Sequence, residues 1–238
     1  MKKAILFDLD GTLLPMDEEK FTKYYFSMLC EITAPLGYKP EDLVREIWKG
    51  TAAMVRNNGT MTNEEAFWRH FASVFGEDRL KDKPVFDKFY ETRFKDARPS
   101  CGFNPLAKDA ATICKNKGYR VILATNPIFP QAATYERIRW AGMEPDDFEF
   151  ITTYENSTSC KPNVMYYEEI LEKRGLKGED CIMIGNDTTE DIAAEKTGMD
   201  VYIVTDCLIN KNKTDLDTVT HGSFTDLLDY LKQLPDVK

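Results

Sequence analysis

Ala4-Ile5-Leu6-Phe7 is an apolar run set between Lys3 and Asp8, and Gly11-Thr12 breaks it. A short run of this kind bounded by turn residues predicts a buried strand. Four more runs predict strands: Tyr119 to Ala124, Phe148 to Thr152, Cys181 to Ile184 and Val201 to Val204. Between them lie stretches of helical spacing at residues 105–117, 130–141, 163–174 and 189–197. They end at Gly118, Gly142, Gly175 and Gly198, and a glycine just past the last turn is the usual helix stop. Strand and helix alternating in this way predict an α/β protein, with a doubly wound parallel sheet covered on both faces.

Residues 17–96 depart from that rhythm. Phe21, Tyr24, Tyr25, Met28, Leu29 and Ile32 repeat at helical spacing, as do Ala66, Phe67, His70, Phe71, Val74 and Phe75. Leu43, Val44, Ile47 and Trp48 form a shorter stripe, and Val85, Phe86, Phe89 and Tyr90 another. Thr62 followed by Glu65 has the spacing of a capping box. Four helices in succession predict a helical bundle inserted after the first strand. The expected division is an α/β core of residues 1–16 and 97–238 and an inserted helical domain of residues 17–96, with the far boundary near Arg98-Pro99.

Composition narrows the function. With 238 residues and 42% hydrophobic positions, the chain can bury a sizeable core. Lys and Arg total 31 against 40 Asp and Glu, a net charge of −9. That balance argues against a general nucleic-acid or anionic-membrane binder, which needs a basic stripe. No apolar run reaches the ~18 residues of a membrane span, and Asp8 and Asp10 cut the first run too short for a signal peptide. Six scattered cysteines without a CxxC pair predict reduced thiols and a cytoplasmic protein.

Ligands of open parallel sheets bind beyond the carboxyl ends of the strands, and polar groups gather there. The first strand runs into Asp8-Leu9-Asp10-Gly11-Thr12, the second into Thr125-Asn126 and the fourth into Gly185-Asn186-Asp187. Asp191 follows four residues on, and Lys161-Pro162 follows the third strand. Carboxylates at adjoining strand ends suit a hard cation such as Mg²⁺. Asp8 and Asp10 flank one position, so both can face one site. One carboxylate can attack a phosphoryl group, while a second protonates the leaving oxygen and then activates water. Thr125 and Lys161 can hold the transferring oxygens.

The set resembles the haloacid dehalogenase-like hydrolase superfamily, whose DxDGT motif stands here as Asp8 to Thr12. Its Thr or Ser stands as Thr125, its Lys as Lys161 and its acidic pair as Asp187 and Asp191. The resemblance implies a Rossmann-like core, and residues 17–96 resemble the family's C1-type cap. It implies Asp8 as nucleophile and metal ligand, and Asp10 as general acid/base whose backbone carbonyl reaches the metal. Thr125, Asn126 and Lys161 would bind phosphate, with Asp187 a metal ligand and Thr12 and Asp191 in support. Asp191 would orient Lys161 or a metal-bound water. Asn186 departs from the glycine many members carry, leaving two candidates for the side chain facing the metal.

The expected activity is Mg²⁺-dependent hydrolysis of a small phosphorylated metabolite through an aspartyl phosphate, by a monomer or small homo-oligomer. The alternatives are a phosphomutase, a phosphonatase, or a non-enzymatic module that stores a phospho-aspartate. Plainer readings stand beside these. Asn126 has two, shaping its turn or touching phosphate, and Asp191 can be read as a first-turn acid stabilised by a helix dipole. His70 reads as a packed histidine, and the aromatic stripes as bundle core. Tyr24, Trp48, Lys49, Arg56 and Asn57 are candidates to face the site from the inserted helices.

Overall fold

The computed structural model describes residues 2–237. Its sheet contains β1 (Ala4–Phe7), β2 (Arg120–Leu123), β3 (Phe150–Ile151), β4 (Cys181–Gly185), β5 (Asp200–Val204) and β6 (Thr220–Gly222), in the order β3-β2-β1-β4-β5-β6. Every neighbouring pair is parallel. Each strand residue alternates faces, and the apolar clusters follow that alternation. Ile5, Phe7, Val121, Leu123, Ile182 and Ile184 belong to one cluster, with Ala110 and Cys114 of α5 (Ala107–Asn116), Ile138 of α6 (Gln131–Trp140) and Leu227 of α8 (Phe224–Gln233). Leu6, Ile122, Met183 and Ile203 belong to the other, against Tyr166, Tyr167 and Ile170 of α7 (Val164–Arg174). Strands buried on both faces have no polar side, which is why they read as unbroken apolar runs.

The inserted segment contains α1 (Glu18–Thr33), α2 (Pro40–Val55), α3 (Asn63–Phe75) and α4 (Lys83–Thr92). Both halves of the capping box form at the start of α3: Thr62 Oγ1 accepts from the Glu65 amide, and the Glu65 carboxylate accepts from the Thr62 amide. Apolar residues of these helices join the same cluster as one face of the sheet. Phe21 meets Phe129 and Phe94 edge-on, and Phe94 stacks on Trp140 at 5.2 Å between ring centroids. Asn63 is fully buried and donates to the carbonyls of Pro127 and Ser159, tying α3 to the loops beyond β2 and β3.

Several expectations need correction. Residues 189–197 do not form an α-helix; a 3₁₀ helix covers Ile192–Thr197 only, and the Asp191 side chain just before it accepts from Lys161. The third strand shrinks to Phe150–Ile151, at the sheet edge beside β2 alone. The sixth strand carries only three residues, two of them exposed, so it lacks the apolar run that betrays a buried strand. The last helix, Phe224–Gln233, is capped by Ser223, whose hydroxyl accepts from the Asp226 amide. A further 3₁₀ helix, Phe94–Ser100, follows α4.

Candidate active site

The register brings the chemistry together. Phe7 pairs with Leu123 on one side and Ile184 on the other, so the residues that follow β1, β2 and β4 emerge side by side. The Asp8 amide donates to the Ile184 carbonyl at 2.8 Å, and the Ala124 amide to the Phe7 carbonyl at 2.7 Å. Asp8, Thr125, Asn186 and Lys161 are all buried. Lys161 Nζ donates to Asp8 Oδ1 at 2.9 Å and to Asp191 Oδ1 at 2.7 Å. Thr12 Oγ1 bridges Asp8 Oδ2 at 3.2 Å and Asn186 Oδ1 at 3.1 Å. Gly11 has φ +83°, and a Cβ there would collide with the Asn186 amide. A glycine is therefore required to turn the chain after Asp10.

Asp187 and Asn186 do different things. Asp187 Oδ1 accepts from the amides of Thr189 and Glu190 at 2.6 and 3.0 Å. Asn186 turns its amide to the Cys207 carbonyl and its oxygen to Thr12. Asp187 is thus the side chain with carboxylate oxygen to spare at the cavity. Asp191 lies beneath, accepting from the Asp187 amide and from Lys161. A Cβ at residue 185 would sit 2.0 Å from Asp191 Oδ2, so Gly185 makes room for that carboxylate.

Two partnerships escaped the sequence. Arg137 of α6 is almost wholly buried; it forms an ion pair with Asp10 Oδ2 and lies over the Phe129 ring. In the sequence it is one of two arginines in an ordinary helix. A polar residue where the helix should be apolar was the signal available. The other is Glu190, whose two carboxylate oxygens accept from Asn126 Nδ2 at 3.0 and 3.1 Å. Asn126 is therefore held in its turn by Glu190.

Electrostatics follow from crowding. Asp8, Asp10, Glu190 and Asp191 are four carboxylates against two buried cations, Lys161 and Arg137. Burial raises the Asp8 pKa, with Lys161 opposing it and Asp10 adding to it. Burial likewise raises Asp10 against the pull of Arg137. Burial takes Asp191 to about 6 and Glu190 to about 8, in each case against Lys161. For Lys161 burial works downward, but Asp191 and Asp8 outweigh it and hold the ammonium well above the ordinary lysine value.

Among the described residues no three His, Cys, Asp or Glu side chains converge as a metal-ligating group. The donor set suits a hard cation that takes few protein ligands and keeps water. Asp8 and Asp187 offer carboxylate oxygen, and the surplus of buried negative charge favours a divalent ion. The Asp10 side chain is committed to Arg137, so only its main-chain carbonyl could join such a site.

These groups line the floor of a cavity of about 440 Å³ whose opposite wall comes from α1 to α4. Trp48 lines it. The other four candidates from the inserted helices do not. Asn57 is buried against Asn63 and the Met61 carbonyl, and Lys49 pairs with Glu46. His70 also pairs with Glu46, at 3.2 Å.

The chain is 26% identical over the full length of both sequences to a glyceraldehyde 3-phosphate phosphatase of Methanothermobacter thermautotrophicus. Its fold is similar to a haloacid dehalogenase-type phosphatase from Thermococcus onnurineus, with a TM-score of 0.60, 18% identity and coverage of 99% of this chain and 100% of that one. It is also similar to a family enzyme from Bacteroides thetaiotaomicron solved with magnesium and inorganic phosphate. There the TM-score is 0.53 at 16% identity, covering 90% of this chain and 98% of that one. The model of the haloacid dehalogenase-like hydrolase family matches residues 2–197, and the chain belongs to that family.

Proposed function

We propose that this hydrolase is a Mg²⁺-dependent phosphatase of small phosphorylated metabolites that works through an aspartyl phosphate on Asp8. The observation that carries the reading is the Asp8 carboxylate itself. It is buried at the cavity floor and held between Lys161 Nζ and Thr12 Oγ1. The full-length similarity to a phosphatase supports it. In this reading residues 1–16 and 97–238 are the catalytic core, and residues 17–96 are a cap closing over the substrate.

Asp8 attacks phosphorus, forming an O–P bond as the ester P–O bond breaks. Asp10, whose pKa burial raises against the pull of Arg137, gives a proton to the departing oxygen. Asp10 then takes a proton from water as that water's oxygen attacks phosphorus. The Asp8–phosphate bond breaks, releasing inorganic phosphate and restoring the Asp8 carboxylate and the Asp10 acid. Lys161 and Thr125 bind the transferring oxygens, Asp191 and Thr12 hold Lys161 and Asp8 in place, and Asn126 keeps the loop of Thr125 in shape through Glu190. Asp8, Asp187 and the Asp10 carbonyl would hold a divalent cation, which would supply positive charge to neutralise the phosphoryl oxygens.

The partner is a small phosphorylated molecule; a net charge of −9 disfavours nucleic acid and anionic membranes. Among the described residues no helix is long and apolar enough to cross a membrane. The six free cysteines suit a reducing compartment, and the reading puts a monomer or small homo-oligomer in the cytoplasm. The test is phosphate release from an aryl phosphate with Mg²⁺, with EDTA, and in variants. Asp8→Asn is expected to abolish turnover, and Asp10→Asn to cut it by ~10²-fold or more. Normal turnover in either variant overturns the assignment.

A further inference from the structure

The cavity presents two kinds of surface above its carboxylate floor. Its volume of about 440 Å³ lies in the range of ~300–1,000 Å³ that accepts small organic ligands. Rings such as Phe26 and Phe67 give it apolar faces, and the tyrosines Tyr25, Tyr90 and Tyr154 set hydroxyls among them. Tyr25 comes from α1, Tyr90 from α4 and Tyr154 from the loop after β3. Tyr90 is near enough to both of the others to feel their charge on ionisation, so the three hydroxyls share one region where the inserted helices meet the core.

These hydroxyls have protons to spare. Tyr25 and Tyr90 share one hydrogen bond, 2.7 Å between their oxygens. A hydroxyl carries one proton and two lone pairs. Whichever of the two donates, the other keeps a proton that no described residue accepts. Tyr154 is 6% exposed. Trp68 Nε1 is sealed from the cavity and turned to the Tyr154 oxygen, so that oxygen receives there and its own proton is left to give. Unlike Trp68 Nε1, the Tyr154 hydroxyl is not sealed off. Burial pushes all three tyrosines above their ordinary pKa, Tyr25 to about 12, so they remain neutral donors at pH 7. Buried hydroxyls are seldom left unpaired. Water can serve them until a ligand displaces it, and a ligand that returns no hydrogen bond then loses affinity. An alkyl chain returns none. A chain bearing hydroxyls accepts from both free protons and lays its C–H faces on the rings.

Resting on the phosphatase reading above, we propose that Tyr154 and the Tyr25–Tyr90 pair form a subsite for hydroxyl oxygens, and that the substrate is the phosphomonoester of a polyol or sugar. The test compares kcat/KM of the full chain with Mg²⁺ on ribitol 5-phosphate and n-pentyl phosphate. Both have five carbons and a primary alkoxide leaving group, and they differ in the hydroxyls. Ribitol 5-phosphate is expected to exceed pentyl phosphate by ~10–100-fold, about tenfold for each hydrogen bond the alkyl chain fails to return. Equal or higher kcat/KM on pentyl phosphate, with release still lost in Asp8→Asn, overturns the inference and leaves the phosphatase reading standing. So does release from p-nitrophenyl phosphate with none from either member of the pair. Release from none of the three overturns both. Tyr154→Phe and Tyr90→Phe each keep the ring and remove one hydroxyl. Each is expected to cut the ratio of the two kcat/KM values by ~10-fold. A purely structural role would lower both values together, so a ratio unchanged in both variants overturns the assignment of the tyrosines.

Discussion

Arg137 is the residue whose environment is most demanding. Its guanidinium is buried, stacked over Phe129 and paired with Asp10, while the Nε bond to the Ala133 carbonyl is long at 3.4 Å. A buried cation left alone is costly, and so is its partner. Arg137→Met is expected to lower stability by ~3 kcal/mol, because Asp10 loses its counter-charge. For a chain of this size that is a fall in Tm of ~6–12 °C, readable by calorimetry. An unchanged Tm would mean that the pair is not formed in solution. Asp8 and Lys161 were visible in the sequence because their neighbours form a motif. Arg137 was not, because a helical arginine is ordinarily a solvated one and only tertiary contact reveals the other kind.

At the scale of elements, α2 and α3 are joined by a buried carboxylate. Glu46 of α2 is 2% exposed and receives Arg45, Lys49 and, across the interface, His70 of α3. Burial pushes its pKa up, yet the three hydrogen-bonded partners prevail and bring it to about 2. The folded value lies below the unfolded carboxylate value of about 4.3. Its stabilisation is therefore complete above that value and is lost as pH falls towards 2. Arg45 and Lys49 are more than half exposed, so solvent screening holds the contribution to about 1 kcal/mol. Melting temperatures measured from pH 5 to 2 should fall less steeply in Glu46→Gln than in the unaltered chain. Parallel slopes would rule out the linkage. The four helices were legible from their apolar stripes. The Glu46 cluster was not, since periodicity reports which face is buried and not which helix lies against it.

At the scale of the whole molecule, the strand order decides the site. β1 lies between β2 and β4, so three loops that are distant in sequence open at one edge, and α1 to α4 close the space above them. A folded chain binding a divalent cation there gains stability by mass action. Adding Mg²⁺ at ~100 times its Kd should contribute ~2.7 kcal/mol, a rise in Tm of ~5–11 °C, and EDTA should reverse it. No shift would mean that Asp8 and Asp187 do not form a cation site in the folded state.

The sequence by itself determined the alternation of strand and helix, the inserted helices, and the order of Asp8, Asp10, Thr125, Lys161, Asp187 and Asp191 along the chain. These are local matters: a strand buried on both faces must be apolar throughout, and the loops that follow carry whatever polar groups the chain affords. The tertiary structure alone decided the partners. It set Lys161 between Asp8 and Asp191, gave Arg137 to Asp10 and Glu190 to Asn126, and turned Trp68 rather than Lys49 or Arg56 towards the cavity. Each of these pairs spans at least thirty residues of chain or depends on how the inserted helices lie over the sheet. Such contacts come from the packing of whole elements, which no local pattern of residues encodes.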